Sequence, residues 1–295
     1  MYSFSRNVIV IILLLANYIV VGQYLDLESG MNISNMQGDE LLSEWSPDGS
    51  QLLFQSNIDG KNTIYIYNQT IDTTIFFSSS ELNFRNAVWH PDGDKVVFDS
   101  DYSGRDFLYV INIGTHEITK LFNRNIACKN ATYSSSDRQV YFTGFDELNA
   151  KWEIYSYDFV YDNLNKLTNT KFGVGNPDIN AKGKLIAISK TDPFTNKNSF
   201  ELINWYGDRY AMFNELDGEM SSWDPMGLKL YFITNNIDGS SDLYSIWKDG
   251  SHIEKIASHE SGLSGPSVSP DGTKIALSVK TINGWDVFVL PFDDY

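Results

Sequence analysis

The sequence predicts an all-β fold, a six-bladed β-propeller whose blades each hold four antiparallel strands. A turn motif recurs six times along the 295 residues and ends at positions 49, 93, 137, 183, 227 and 272. Short alternating apolar runs separate the copies, and amphipathic helical periodicity is absent. Four short strands in each repeat of about 45 residues are typical of propeller blades, and they exclude a helical solenoid of similar period.

The turn motif joins the first and second strands of each predicted blade. Four copies keep proline and glycine, and two are weaker; they are Ser46–Gly49, His90–Gly93, Asp224–Gly227 and Ser269–Gly272, with Ser134–Asp137 and Asn180–Gly183. Proline presets φ at the first corner, aspartate accepts backbone hydrogen bonds, and glycine takes the left-handed position. We therefore predict a tight hairpin at each copy, in which Asp137 adopts positive φ in place of glycine.

Large apolar residues flank the turns in constant phase. Four residues before the end of each copy stand Trp45, Trp89, Tyr133, Ile179, Trp223 and Val268, and five residues after it stand Phe54, Phe98, Phe142, Ile188, Phe232 and Leu277. Because these residues recur in every blade, we expect them to pack between blades and not to form a sugar-binding platform.

The remaining strands and the closure of the ring follow from the same phase. Apolar, often tyrosine-centred runs at 64–67, 108–110, 154–157, 243–246 and 287–290 mark third strands, and 119–122 and 166–168 mark fourth strands. The last repeat ends after its third strand, whereas residues 30–36 have the phase of a fourth strand. An uncovered strand edge exposes unpaired N–H and C=O groups that can pair with another chain. We therefore predict that this N-terminal strand completes the last blade.

The composition excludes several classes of protein. The chain has 22 Lys and Arg against 38 Asp and Glu, a net charge of −16, so nucleic acid is a poor partner. The single cysteine, Cys128, excludes an intrachain disulfide scaffold, and we expect it to be buried beside the third blade. With 14% aromatic residues, general disorder is excluded as well.

Residues 1–22 have the features of a signal peptide. Arg6 precedes an apolar run from Val8 to Val21, and Val20 and Gly22 suit a small-residue cleavage site. Cleavage would leave residues 23–295 as a single propeller domain that does not span the membrane. An uncleaved anchor is the alternative, although the apolar run is short for a membrane span.

These motifs together resemble a known family. Six Trp-Ser-Pro-Asp-Gly-like turns, each followed by an apolar strand and a tyrosine-centred third strand, are similar to the TolB-like six-bladed propellers with WD-like or Pro-Asp repeats. The resemblance covers residues 30–295 and implies the propeller alone, without the α/β domain that precedes it in TolB. Related propellers include the gating domains of prolyl-oligopeptidase-like enzymes and some polysaccharide lyases, and no family catalytic motif maps onto a position here.

No motif in the chain assembles a catalytic or metal site. The nucleophile elbow G-x-S-x-G does not occur, and His90, His116, His252 and His259 lack the spacing of a metal pair. A lyase that uses histidine as a base stays open as an alternative. Residues 99–104 resemble the start of a calcium loop, but their phase is that of a hairpin between second and third strands. We expect no cofactor, no metal and no enzymatic activity.

The candidate binding site follows from topology. Loops between blades, and hairpins between second and third strands, emerge around one mouth of the central channel; we call this end the mouth face. Asn86, Asn130 and Asn176 stand there seven residues before the end of three successive turn copies, with Arg85 and Lys129 one residue earlier. Such amides and cations can bind a carboxylate, a peptide terminus or a sugar. The alternative is that the asparagines only shape the loops.

Acidic residues are expected on the same face. They include Asp59, Asp101, Asp106, Asp146, Asp238 and Asp242, which would favour a basic protein patch or cations if they are not ordinary solvated loop residues. The sequence therefore favours an exported, periplasmic or secreted monomer that binds a protein or peptide. The alternatives are a carbohydrate-binding or lyase-type propeller, and one subunit of a peptidase-like assembly.

Overall fold

A computed structural model describes residues 25–34, 36–58, 60–77, 82–195, 197–213 and 218–292. These residues form six separate four-stranded antiparallel sheets, one for each predicted blade. The only helical element in these ranges is a 3-10 turn at Leu27–Ser29. The predicted all-β, six-bladed propeller is confirmed, while the predicted signal peptide lies outside the described residues.

The strands follow the predicted blade order. Blade 1 holds β2 (Asp39–Trp45), β3 (Gln51–Ile58), β4 (Lys61–Asn68) and β5 (Thr73–Phe77), and blade 2 holds β6 (Arg85–Trp89), β7 (Lys95–Ser100), β8 (Phe107–Asn112) and β9 (Ile118–Lys120). Blade 3 holds β10 (Cys128–Tyr133), β11 (Gln139–Asp146), β12 (Lys151–Asp158) and β13 (Asn163–Lys166), and blade 4 holds β14 (Gly175–Ile179), β15 (Leu185–Thr191), β16 (Asn198–Asn204) and β17 (Arg209–Phe213). Blade 5 holds β18 (Gly218–Trp223), β19 (Lys229–Asn235), β20 (Ser241–Trp247) and β21 (Glu254–His259), and blade 6 holds β22 (Leu263–Val268), β23 (Lys274–Thr281), β24 (Gly284–Pro291) and β1 (Met31–Asn32).

The N-terminal strand closes the ring as predicted, but it is shorter than expected. In β1, Met31 and Asn32 pair with Val289 and Phe288 of β24. The contact continues beyond the strand, where the Ile33 N–H donates to the Val287 carbonyl at 3.0 Å and the Val287 N–H donates to Ser34 Oγ at 2.8 Å. The outer edge of β24 is therefore covered by the start of the propeller.

The turn motif forms the expected hairpin where its glycine is present. The Gly49 N–H donates to the Ser46 carbonyl at 2.8 Å with φ of 72°, and Ser46 Oγ donates to Asp48 Oδ1 at 2.6 Å. The third copy differs, because Asp137 does not take positive φ and the expectation for it is wrong. There, Ser134 Oγ donates to the Ser136 carbonyl at 2.7 Å, so a side-chain contact holds the turn without the left-handed residue.

The in-phase aromatic residues pack between blades. Phe54, Phe98, Phe142 and Phe232 are fully buried, and Cys128 is fully buried at the start of β10, as expected. Three indoles also link neighbouring blades through hydrogen bonds to main-chain carbonyls: Trp45 Nε1 to Ser267, Trp89 Nε1 to Glu44 and Trp223 Nε1 to Asp178. Each carbonyl belongs to an inner strand of the preceding blade, so the indoles fix the inner strands around the channel.

Candidate functional site

A β-bulge interrupts the inner strand of every blade near the mouth face. The pairing register shifts in all six inner strands, for example between Lys129 and Ala131 of β10. Left-handed backbone accompanies the bulge at Asn86, Asn130 and Asn176, with φ of 48°, 51° and 51°. Asparagine is one of the residues that tolerates this conformation, which explains its recurrence at this phase.

The bulges bring the three asparagine side chains into one row. The Asn86 amide donates to Asn130 Oδ1 at 3.4 Å, and the Asn130 amide donates to Asn176 Oδ1 at 2.7 Å. The Asn176 amide then donates to Ser189 Oγ at 3.1 Å. We call Asn86, Asn130 and Asn176 the asparagine row; it spans blades 2, 3 and 4 with its amides in series.

Side chains of the second strands accept hydrogen bonds from the asparagine row and fix its position. Asp99 Oδ1 accepts from the Asn86 amide at 2.7 Å and from the Asn130 N–H at 3.1 Å, and Thr143 Oγ1 accepts from the Asn176 N–H at 3.1 Å. Burial raises the pKa of Asp99, while the hydrogen bond from Asn86 lowers it. The sequence did not lead us to expect these hydrogen bonds to the asparagine row. Asp99, Thr143 and Ser189 nevertheless share one phase, six residues after the end of the turn, and alignment of the repeats could have revealed it.

The asparagine row lines a cavity at the channel mouth. This mouth cavity has a volume of about 410 Å³, and the inner strands of all six blades contribute to its wall. A second cavity of about 390 Å³ continues toward the turn motifs. The two share Glu44, Thr132, Asp178, Ser222 and Ser267, which we call the waist of the channel.

Two carboxyl groups at the waist were missed by the sequence reasoning. Burial raises the pKa of Glu44 to about 8, against the hydrogen bond from the Trp89 N–H at 2.6 Å, and the charge of Asp178 adds to the rise. Burial also raises the pKa of Asp178 to about 8, and its Oδ2 has no hydrogen-bond partner in the described structure. Both residues stand five positions before the end of a turn copy, a phase that could have indicated them.

The two predicted cations lie in different surroundings. The guanidinium of Arg85 is 3.2 Å from Asp99 Oδ2 and 3.8 Å from Asp101 Oδ2, and it also pairs with Asp106. Its charge is therefore balanced within blade 2. Lys129 Nζ instead lies 4.5 Å from the centroid of the Trp152 ring, on the side of the mouth face next to blade 4.

The predicted acidic residues divide by exposure. Asp101 and Asp238 are exposed, and Asp106 is partly buried beside Arg85. Asp146 and Asp242 are buried and belong to their own blades, where Asp146 accepts from Asn149 and Lys166 and Asp242 accepts from Ser258 and Lys255. Hydrogen bonds from Asn149 and Lys166 lower the pKa of Asp146 to about 2. Asp59 lies outside the described residues.

The four histidines do not line the channel cavities in the described ranges. His90 contacts Asp92 in its turn, with 3.0 Å between Nδ1 and Oδ1, and packs edge-on against Tyr133. Across residues 25–292, apart from the gaps given above, no three His, Cys, Asp or Glu side chains cluster closely enough to hold a metal ion. The same ranges contain no helix of the length and apolarity that a bilayer crossing requires.

Comparison with known proteins supports the fold and the family. Residues 18–222 match the model of the TolB beta propeller domain. TolB from Acinetobacter baumannii superposes with a TM-score of 0.65 at 21% identity over 77% of this chain, which spans 58% of that protein. A protein assigned as a TolB from Agrobacterium tumefaciens gives 0.67 at 16% identity, over 89% of this chain and 93% of that one.

An enzyme has the same architecture. An oligogalacturonate lyase solved with manganese superposes with a TM-score of 0.63 at 13% identity, over 92% of this chain and 96% of that one. At these identities the likeness of solved structures concerns the fold alone, and no curated protein matches the chain in sequence. The family match covers more than two thirds of the chain and agrees with the repeat and the six sheets, so the chain belongs to the TolB beta propeller domain family.

Proposed function

We propose that this protein is an exported, monomeric and non-catalytic propeller that binds a protein or peptide segment at the mouth face. The observation that carries the proposal is the asparagine row in the wall of the mouth cavity. Primary amides offer both donors and acceptors, which is what the N–H and C=O groups of a peptide segment require. The bulges and Asp99 hold the row in place, so little order has to be gained on binding.

The family supports a binding role in the cell envelope. TolB structures come from bacteria, and the chain belongs to the same propeller family. A concave site lined by a few fixed polar groups is the usual form of a binding pocket. Together with the signal-like residues 1–22, this likeness supports action in the bacterial periplasm or outside the cell.

Substitution of Asn130 by glycine tests the peptide site. Glycine accepts the left-handed backbone at φ of 51°, so the bulge is kept while the central amide of the row is lost. We expect peptides selected from a random phage library on the wild-type protein to bind Asn130→Gly about tenfold more weakly. Isothermal titration calorimetry with the selected peptides measures the change.

His252→Gly serves as the matched control. His252 also has left-handed backbone, with φ of 53°, but lies in the hairpin between the two outer strands of blade 5, on the face opposite the mouth face. Its affinity for the same peptides should match the wild-type value. Failure to enrich any peptide, or equal binding to Asn130→Gly, would contradict the proposal.

Export is tested by the N-terminus of the mature protein. Cleavage after Gly22 would leave Gln23 as the first residue. N-terminal sequencing of the protein from the periplasmic or secreted fraction of its host should begin at Gln23. A chain that begins at Met1 and sediments with membranes would favour an uncleaved anchor instead.

A carbohydrate-binding or lyase-type propeller is the second candidate function. Its support is the fold likeness to oligogalacturonate lyase over nearly the whole of both chains. Incubation with polygalacturonate distinguishes the candidates, because lyase cleavage leaves an unsaturated product that absorbs in the ultraviolet. An increase in absorbance would favour the second candidate over peptide binding.

A further inference from the structure

We propose that a groove between blades 3 and 4 on the mouth face binds a carboxylate-rich stretch of a peptide ligand. This inference rests on the proposed peptide-binding function and names the chemistry of the ligand. We call the site the lysine groove and define it by Lys129, Lys151, Trp152, Lys171, Phe172 and Lys190.

The lysine groove consists of two adjoining cavities. The larger, of about 370 Å³, is lined by Lys129, Lys151, Trp152 and Phe172 among others. The smaller, of about 190 Å³, is lined by Lys171 and Lys190 and shares Phe172, Gly173 and Thr191 with the larger one. Together they form a continuous depression with aromatic and cationic walls.

The groove is continuous with the mouth cavity. Asn176, the last member of the asparagine row, lines both the mouth cavity and the larger part of the lysine groove. An extended segment held by the row therefore passes directly into the groove. This continuity favours a chain-like ligand over a small free anion.

The cations of the groove outnumber the carboxylates beside them. Lys190 and Arg209 share one carboxylate, that of Glu201, which is 4% exposed. Lys151 Nζ is 3.4 Å from the fully buried Glu153, whose oxygens also accept from Thr168 and Thr170.

The other two lysines contact rings. Lys129 Nζ lies 4.5 Å from the Trp152 centroid and Lys171 Nζ lies 4.7 Å from the Phe172 centroid. Asp192, the remaining acid of the groove, accepts from the N–H groups of Phe194 and Thr195. Four lysines thus face three carboxylates, those of Glu153, Glu201 and Asp192, all of which already have hydrogen-bond or ion-pair partners.

Local charge is what makes this groove unusual in the chain. The protein has a net charge of −16, and Arg85, the cation predicted at the mouth face of blade 2, is surrounded by three carboxylates. Burial and the charge of Arg209 lower the pKa of Lys190, so a further anion beside it would be stabilising. A carboxylate in the groove gains charge-assisted hydrogen bonds, and its aliphatic stem can pack on Phe172, which is 47% exposed.

The test compares labelled octapeptides of alternating glutamate and glycine, of glutamine and glycine, and of lysine and glycine, together with a trimeric galacturonate. Fluorescence anisotropy should show binding of the glutamate peptide alone. Its affinity should fall when salt rises from about 50 mM to about 500 mM, since the Debye length shortens. The double variant Lys129→Glu/Lys171→Glu should bind it at least about tenfold more weakly.

Matched controls separate local charge from net charge and folding. Lys182→Glu/Lys184→Glu makes the same change in charge at two exposed lysines of blade 4 beside the turn at Gly183, and it should keep wild-type affinity. The neutral double variant Lys129→Gln/Lys171→Gln should give an intermediate loss. Thermal melting of each variant shows whether the fold is retained.

The outcomes distinguish this inference from the proposed function. Equal binding of the glutamine and glutamate peptides, lost in Asn130→Gly but unchanged in the lysine variants, would overturn the carboxylate inference and leave peptide binding standing. Binding of the galacturonate in preference to the glutamate peptide would overturn both. No binding of the glutamate peptide at millimolar concentration would also overturn the inference.

Discussion

Replacement of Gly207 by alanine should lower the free energy of unfolding by about 3 kcal/mol. Gly207 lies in the hairpin between β16 and β17 with φ of 95°, and its N–H donates to the Asn204 carbonyl at 2.9 Å. A Cβ atom there would come 2.3 Å from the carbonyl oxygen of Leu167, which follows β13 of blade 3. Because that oxygen belongs to the main chain, it cannot turn aside as a flexible side chain could. The contact between blades 3 and 4, which we call the seam, therefore has to open. Denaturant unfolding of the variant measures the loss.

Gly239→Ala is the matched control for this effect. Gly239 has a similar φ of 89°, but no heavy atom lies within 4 Å of the position that a Cβ atom would take there. Its substitution should cost about 1 kcal/mol, the strain of left-handed backbone alone. Equal losses in the two variants would mean that the contact with Leu167 does not restrict the hairpin. A larger loss in Gly207→Ala assigns the difference to the seam that also carries the lysine groove.

The double variant Glu44→Gln/Asp178→Asn should raise the free energy of unfolding at pH 8 by about 2 kcal/mol. Burial at the waist raises the pKa of both carboxyl groups to about 8, so the folded protein resists their ionisation. Glutamine and asparagine keep the shape of these side chains and remove the charge. The glutamine oxygen can still accept from the Trp89 N–H, as Glu44 Oε2 does.

The direction of this change in stability follows from how the two carboxyl groups titrate in the folded and unfolded states. Between the ordinary carboxyl pKa near 4 and the folded value of about 8, the folded state holds protons that the unfolded chain has released. Stability from these groups is therefore full at low pH and is lost as the pH rises toward 8. Each pKa unit corresponds to about 1.4 kcal/mol. We expect less than the full value because both side chains line the channel cavities and are only partly buried.

Urea unfolding at a series of pH values from 5 to 9 checks this prediction. The wild-type protein should lose stability over that range more steeply than the double variant. The exposed Glu117, changed to glutamine, provides the control and should alter stability by less than about 0.5 kcal/mol. An unchanged pH slope in the double variant would show that the waist carboxyls ionise as they do in water.

The repeat let the architecture be predicted closely, including the strand that closes the ring. Pro47, Asp48 and Gly49 act through backbone preferences and hydrogen bonds within one turn, so their effect can be read locally. The recurrence of asparagine at one phase is visible in the sequence for a similar local reason, because left-handed backbone favours asparagine over most other residues. Asp137 was misjudged because its turn is held by Ser134, a contact that the motif does not specify.

The sequence by itself determined the six blades, their order and the face on which the asparagines lie, because turn chemistry and strand periodicity act over a few residues. Only the tertiary structure decided which charges meet. Packing of the strands within blade 2 surrounds Arg85 with carboxylates. Closure of the ring places Glu44 and Asp178 at one waist and brings Lys129 and Lys190 from different blades into one groove. Desolvation and Coulomb interactions depend on distance in space, and residues of successive blades come together only when the blades pack.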